Sequence, residues 1–424
     1  MARNRTSGRS SRERGPKKVS ITMYNVGFGD CFLLTFHYAN DKNRRVLIDC
    51  GSSSEKKEHM SQVVDQLIKD CEGHVDVIVA THRHKDHISA FGLAGLGAKL
   101  KSLKPDVVIQ PWTEHPKAEE AAVEAPSVFT QAAFKHMAGL KAVQDLALGI
   151  LESPERVLAA AGPTERKYLT RLASLSIKNK KAVDLLGKMG KKRFYVYAGG
   201  PSGIGRLLPG VRVSVLGPPT LKQSERIRKQ TQWDEDEFWK LRARLSDESR
   251  SNDATACGHS AVFPHAETIS LADAPSYVRW VTRNVDNAQL HNMRQIVRVL
   301  DNAMNNTSVI LLFEVAGKGL LFPGDAQLEN WQYALGRPSW RKRLSKTVVY
   351  KVGHHGSTNA TPQTLWDLFA HRSTRRKKLI SLMSTEEHHH NNVPRKSLVD
   401  SLKKETVFNT TQGLRAELST TCVI

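Results

Sequence analysis

The stretch Val75-Asp76-Val77-Ile78-Val79-Ala80-Thr81-His82-Arg83-His84-Lys85-Asp86-His87 runs from an apolar segment straight into three histidines and one aspartate within six residues. A short, β-branched apolar run of this kind reads as a buried strand. The residues behind it are imidazole and carboxylate donors, the types that borderline divalent ions favour. In an irregular loop His82 and His84 can face one side while Asp86 and His87 reach a point a few ångströms away, so the spacing predicts two adjacent metals. A helix through His82 and His84 would spoil this, because positions i and i+2 diverge by about 200° around its axis.

Working outward, Ile21 to Val26 alternates like a strand, Gly27-Phe28-Gly29-Asp30 reads as a turn, and Cys31 to Phe36 and Arg45 to Asp49 read as further strands. A helix follows, with Met60, Val63, Val64, Leu67 and Ile68 on one face. Strand signals return at Ser308–Val315, Gly319–Phe322, Thr347–Val352 and Leu379–Met383. Between about 113 and 300 the chain is mostly helical in pattern and charged, with strand signals only at Phe194–Ala198 and Val211–Leu216. That region reads as an insertion on an α/β sandwich. Within it, Trp233 to Trp239 reads as a helix packing its aromatics inward.

The segment Thr81 to His87 resembles the H-x-H-x-D-H signature of the metallo-β-lactamase superfamily. That resemblance implies an αββα sandwich, here with the large helical insertion, and a metal-dependent hydrolase. It implies metal ligation by His82, His84, Asp86, His87, Asp325 of LLFPGDA and one histidine of KVGHHGS, His355 being favoured over His354, which would then face substrate, with Asp325 bridging two divalent ions. Zinc or manganese is expected, and magnesium also suits the set. Asp49 of LIDCG is expected to orient the ligands by hydrogen bonds, as is Asp30. The chain is similar, more closely, to the hydrolase domain of ComEC-type DNA-uptake proteins. The motifs that carry this are Val26-Gly27-Phe28-Gly29-Asp30, Asn305-Asn306-Thr307-Ser308 and Lys351 to Ser357, with Val407 to Leu418 resembling that family's last hairpin.

Two departures stand out. Many superfamily members carry a further histidine before the strand that leads to the bridging aspartate, where this chain has Met304-Asn305-Asn306-Thr307-Ser308. One metal would then have His82, His84 and Asp325 without a third imidazole, unless His259 or His265 substitutes. Ile88-Ser89-Ala90 also replaces the usual Ile-Gly-Gly.

Two divalent ions sharing Asp325 would make hydroxide available near neutral pH. Asp86 is expected to steer the attacking water, with Lys351 or His354 neutralising a leaving or non-bridging oxygen. Asn305, Asn306, Ser357, His388, His389 and His390 are candidate substrate contacts.

The formal charge is +21, and most of it is clustered. Residues 1–19 hold a net +6, and residues 166–193 a net +9 through residues that include Lys178, Lys180, Lys181, Lys188, Lys191, Lys192 and Arg193. Such a field concentrates polyanions, so nucleic acid is the expected partner, and the likeness to DNA-uptake proteins implies DNA ahead of RNA. The expected activity is therefore that of a nuclease or related phosphodiesterase. A hydrolase of a small ester, lactone or phospho-headgroup, or a nucleic-acid-binding module with structural metal, are the alternatives.

Residues 1–18 are expected to be a flexible basic arm, and residues 19–424 the hydrolase domain. No stretch approaches the roughly 20 apolar residues of a membrane span. The N-terminus has no apolar leader, so a cytoplasmic protein is expected. The five cysteines form no C-x-x-C pair and are expected to be reduced.

Overall fold

The computed structural model describes residues 15–39, 42–115, 179–220, 223–224, 305–357, 360–376, 378–386, 393–414 and 417–424. A first sheet contains β1 (Lys18–Tyr24), β2 (Phe32–His37), β3 (Asn43–Ile48), β4 (Val77–Val79), β5 (Val107–Pro111), β6 (Lys192–Val196) and β13 (Ser419–Val423). Their spatial order is β13-β1-β2-β3-β4-β5-β6. A second sheet contains β7 (Val211–Gly217), β8 (Ile310–Val315), β9 (Lys318–Phe322), β10 (Thr347–Lys351), β11 (Ile380–Met383) and β12 (Val407–Thr410), in the order β12-β11-β10-β9-β8-β7.

Strand alternation builds the layers. Phe32 and Leu34 face inward with Ile21, Val46, Ile48, Phe313 and Phe322 to form the core between the sheets. Leu33, one residue out of phase, joins a second core beneath α1 (Lys57–Asp70), α2 (Lys85–Gly92), α3 (Leu96–Ser102) and α4 (Lys180–Leu186). A third core lies between the second sheet and α5 (Leu328–Leu335), α6 (Pro338–Leu344), α7 (Gln363–Leu368) and α8 (Lys396–Glu405). Burying each such Val, Leu, Ile or Phe contributes about 1.5–3 kcal/mol. The result is the expected αββα layering. β3 to β6 run parallel, as do β9 to β12. Both faces of these parallel strands are covered, which is why Val77-Ile78-Val79 is apolar throughout.

Several expectations shift. Lys17 and Lys18, placed in the arm, belong to the sheet: the Lys17 amide donates to His37 O at 2.7 Å, and β1 begins at Lys18. Within the region read as an insertion, β6 and β7 form one edge of each sheet, so Lys192 to Gly217 is scaffold. Residues 116–178 and 225–304, with Trp233 to Trp239, His259 and His265, lie outside the described residues. The expected closing hairpin does not form. Among the described residues β12 pairs in parallel with β11, whereas β13 crosses to the other sheet and pairs with β1, so each strand takes up the unpaired backbone groups of a different sheet edge. Cys31, Cys50, Cys71 and Cys422 are free thiols. Among the described residues no helix is long and apolar enough to cross a membrane.

Candidate metal centre

The C-terminal ends of parallel strands from both sheets converge on one spot. β3 delivers Asp49, β4 delivers Thr81 to His87, β9 leads to Asp325, β10 ends at Lys351 ahead of His354 and His355, and β11 leads to Ser384. The histidine loop is irregular only as far as His84, for Asp86 and His87 occupy the first turn of α2. Close backbone approach holds it there. A Cβ on Gly51 would sit 2.6 Å from the backbone of Lys85 and His87, and one on Gly29 only 2.2 Å from Gly51 O. The Asp30 amide donates to Asp86 O at 2.9 Å and the Cys50 amide to His87 O at 2.7 Å. The glycines of the two early motifs are therefore what lets three loops interlock.

Asp86, His87, Asp325 and His355 form a compact group whose ligand atoms all lie within 4.8 Å of one another. His87 Nε2 is 3.0 Å from Asp325 Oδ2, and His355 Nε2 is 3.0 Å from Asp86 Oδ2 and 3.6 Å from Asp325 Oδ2. His82 and His84 stand beside this group: their rings touch through Nε2 and Nδ1 at 3.0 Å, and the His82 ring centroid is 4.1 Å from that of His87. Three of the six non-glycine residues with positive φ among the described residues are Asp49, His354 and His355, each at about 45–57°. Such left-handed residues cost of order 1–3 kcal/mol each and persist where the surroundings over-determine them.

Orientation comes from a further ring of residues. Asp49 receives the His87 Nδ1–H at 2.8 Å and both the amide and hydroxyl of Thr81 at 2.7 Å. His355 Nδ1 donates to Ser384 O at 2.9 Å while Phe28 packs against its ring. Asp325 Oδ1 accepts from the His354 amide at 3.1 Å and from Lys351 Nζ at 3.3 Å, and its own amide donates to Ser308 Oγ at 3.2 Å. Thr81, Phe28 and Ser308 lie inside motifs quoted from the sequence but had no role assigned there, and Ser384 was not picked out at all.

Of the other expected residues, Lys351 is buried and also ion-paired to Asp30, so its ammonium is committed to two aspartates and to Gly324 O rather than to a substrate oxygen. His354 is half-buried, with Nδ1 3.0 Å from Ser357 Oγ. Asn305 and Asn306 are both buried. His388, His389 and His390 lie outside the described residues, as do Lys178 and the Lys180 side chain. Lys181, Lys188, Lys191, Lys192 and Arg193 are exposed.

The residues present fit divalent ions. Four buried aspartates, Asp30, Asp49, Asp86 and Asp325, face one buried ammonium. Burial alone would lower the His87 pKa, but Asp325, Asp49 and Asp86 outweigh it and hold the imidazole well above its ordinary value; His355 is raised by Asp325 and Asp86 against the same burial. Burial would raise Asp86 and Asp325, yet His87 with His355 keeps the first, and His87 with Lys351 the second, well below the usual carboxylate range. This is a site in want of positive charge. His87 Nε2 and Asp325 Oδ2 are buried and, despite their 3.0 Å separation, form no hydrogen bond, as expected of atoms aimed at a shared ion. No curated protein matches the chain. Residues 24–166, the segment that carries Asp30, Asp49 and the whole histidine loop, match the family model of the metallo-beta-lactamase superfamily, whose members are mostly hydrolases that bind divalent metals.

Proposed function

We propose that the chain is a metal-dependent phosphodiesterase that cleaves nucleic acid, DNA in preference to RNA. One observation carries this reading. The basic segment is tied to the histidine loop, for Asn179 at the head of α4 donates to Arg83 O, between His82 and His84, at 2.6 Å. Ala182 of α4 also packs against Gly92 of α2, the helix whose first turn holds Asp86 and His87. Exposed Lys181, Lys188, Lys191, Lys192 and Arg193 follow along α4 and β6, the outermost strand of its sheet among the described residues. A polyanion held along that edge would be led toward the site. The surface pair of Lys191 with Asp106, 2.6 Å long, leaves this edge positive overall.

Divalent ions at the site would supply Lewis acidity for activating water and for stabilising charge on the attacked phosphorus. The chain's own residues do the rest. Asp86, 3.0 Å from His355 Nε2 in the ligand group, would orient the water; half-buried His354 beside it would hydrogen-bond a phosphate oxygen; Asp49 and Ser384 keep His87 and His355 in one orientation.

Purified protein assayed on single- and double-stranded DNA and RNA with Mn²⁺, Zn²⁺ or Mg²⁺ tests the reading. Chelator-sensitive cleavage, faster on DNA, is expected. Hydrolysis confined to small esters, lactones or phospho-headgroups would replace it with the small-substrate activity.

A further inference from the structure

Asn305 is fully buried at 0% exposure, and neither Oδ1 nor Nδ2 of its side chain makes a hydrogen bond. A buried amide left in that state is unfavourable, and native proteins seldom tolerate one without a reason such as a bound ion. Asn306 and Asn330 also keep a buried Oδ1 without a partner, but unlike Asn305 their Nδ2 groups are paired. Asn306 Nδ2 donates to Glu329 at 3.2 Å, and Asn330 Nδ2 donates to Asn306 O and Ser308 O at 3.2 and 3.0 Å.

The turn that carries Asn305 is stitched to both halves of the metal centre. The Ser308 amide donates to Asn305 O at 3.0 Å, closing the turn, and the Val309 amide donates to Thr81 O at 2.9 Å, immediately before His82. Ser308 Oγ accepts from the Asp325 amide, and a Cβ on Gly324 would lie 2.8 Å from Thr81 and 3.3 Å from Ser308. His82 and His84 stand outside the compact group of four ligands, and with Asp325 shared they supply three protein donors, which leaves room for one or more further donors around a divalent ion.

We propose that the Asn305 side-chain oxygen ligates the metal held by His82 and His84, with Asp325 shared from the neighbouring position. The inference rests on the metal-centre reading above. It also carries a selectivity: a neutral carbonyl oxygen in place of a third imidazole favours harder ions, so this position prefers Mn²⁺ to Zn²⁺ more than an all-histidine position would.

Titration of the full, metal-stripped chain with MnCl2 and with ZnCl2, by calorimetry and by elemental analysis after dialysis, tests it. The parent should bind two Mn²⁺. Asn305→Leu should bind one, with the remaining affinity within about twofold of the parent's and with an apo melting temperature no lower, since no hydrogen bond is lost. Asn305→His should raise the Zn²⁺ over Mn²⁺ preference at the affected position by tenfold or more. A leucine variant that still binds two Mn²⁺ with unchanged affinity overturns the proposal and leaves a buried water as the amide's partner. If that variant does not fold, an unchanged selectivity in Asn305→His overturns it equally. A parent that binds no metal overturns the metal-centre reading itself, and this inference with it.

Discussion

His87 donates its Nδ1–H to Asp49 Oδ2 across 2.8 Å, so its other nitrogen, Nε2, is aimed at Asp325 Oδ2 3.0 Å away. Asp49 has no freedom to follow a rotating ring, because the amide and hydroxyl of Thr81 hold both its oxygens at 2.7 Å. A carboxylate behind a ligating histidine fixes the tautomer and raises the basicity of the ligand nitrogen, and its loss typically lowers metal affinity by 10–100-fold. Asp49→Asn should therefore weaken Mn²⁺ or Zn²⁺ binding by roughly that factor, read by calorimetry. An unchanged affinity would show that Asp49 serves only the fold.

Metal binding should be coupled to protons. Burial opposes the charged imidazole, but Asp325, Asp49 and Asp86 around His87, and Asp325 and Asp86 around His355, hold both pKa values above the ordinary histidine value in the metal-free protein. A ligating imidazole must be neutral, so metal displaces those protons and the affinity rises with pH. Calorimetry at pH 7 in buffers of different ionisation enthalpy should show net proton release, larger at pH 6.5 than at pH 8.5. Proton uptake, or none at any pH, contradicts the charge balance described for the site.

Lys351 is 1% exposed and pinned between Asp30 and Asp325. Burial would lower its pKa, but the two aspartates outweigh burial and hold it above its usual value, so the ammonium stays charged. Removing one member of a buried charge cluster leaves the others uncompensated, typically at a cost of about 3–5 kcal/mol. Lys351→Met should destabilise the metal-free protein by that order in urea unfolding. If stability holds and only turnover falls, Lys351 touches substrate after all.

Much of this was legible in the chain, and the limits have physical causes. The apolar run Val77-Ile78-Val79 followed by four donor side chains locates a strand end and a metal loop, because both signals are local. Asp325 and His355 carry no local periodicity of their own; the family resemblance supplied them, and the structure sets both beside Asp86 and His87. The orienting contacts of Ser384 and Ser308 were out of reach, since a serine gives no sign of a partner that lies on a different strand. The fate of the C-terminus shows the same limit. Val407 to Leu418 reads as one hairpin, yet Val407–Thr410 pairs with β11 and the next strand, Ser419–Val423, completes the edge of the other sheet. A turn-length gap between two strands does not tell which edge each will find.

The exposed edge formed by α4 and β6 should hold nucleic acid without touching the chemistry. Lys181, Lys188, Lys191, Lys192 and Arg193 lie at the surface, and Asn179 links their segment to the histidine loop. Neutralising phosphates releases counterions, so the affinity for duplex DNA should fall with salt at a log-log slope of about −0.9 per phosphate contacted. Replacing these five residues by Gln should flatten the slope by up to about 4.5 units and raise the DNA concentration needed for half-maximal cleavage. Metal stoichiometry should not change, because none of the five belongs to the compact ligand group. Hydrolysis of a small chromogenic phosphodiester, if it is accepted, should also stay near the parent rate, since such a substrate cannot reach along the edge. A five-fold Gln variant that binds and cleaves long DNA with the parent's salt dependence would make the cluster a solvated face and turn the search toward small substrates.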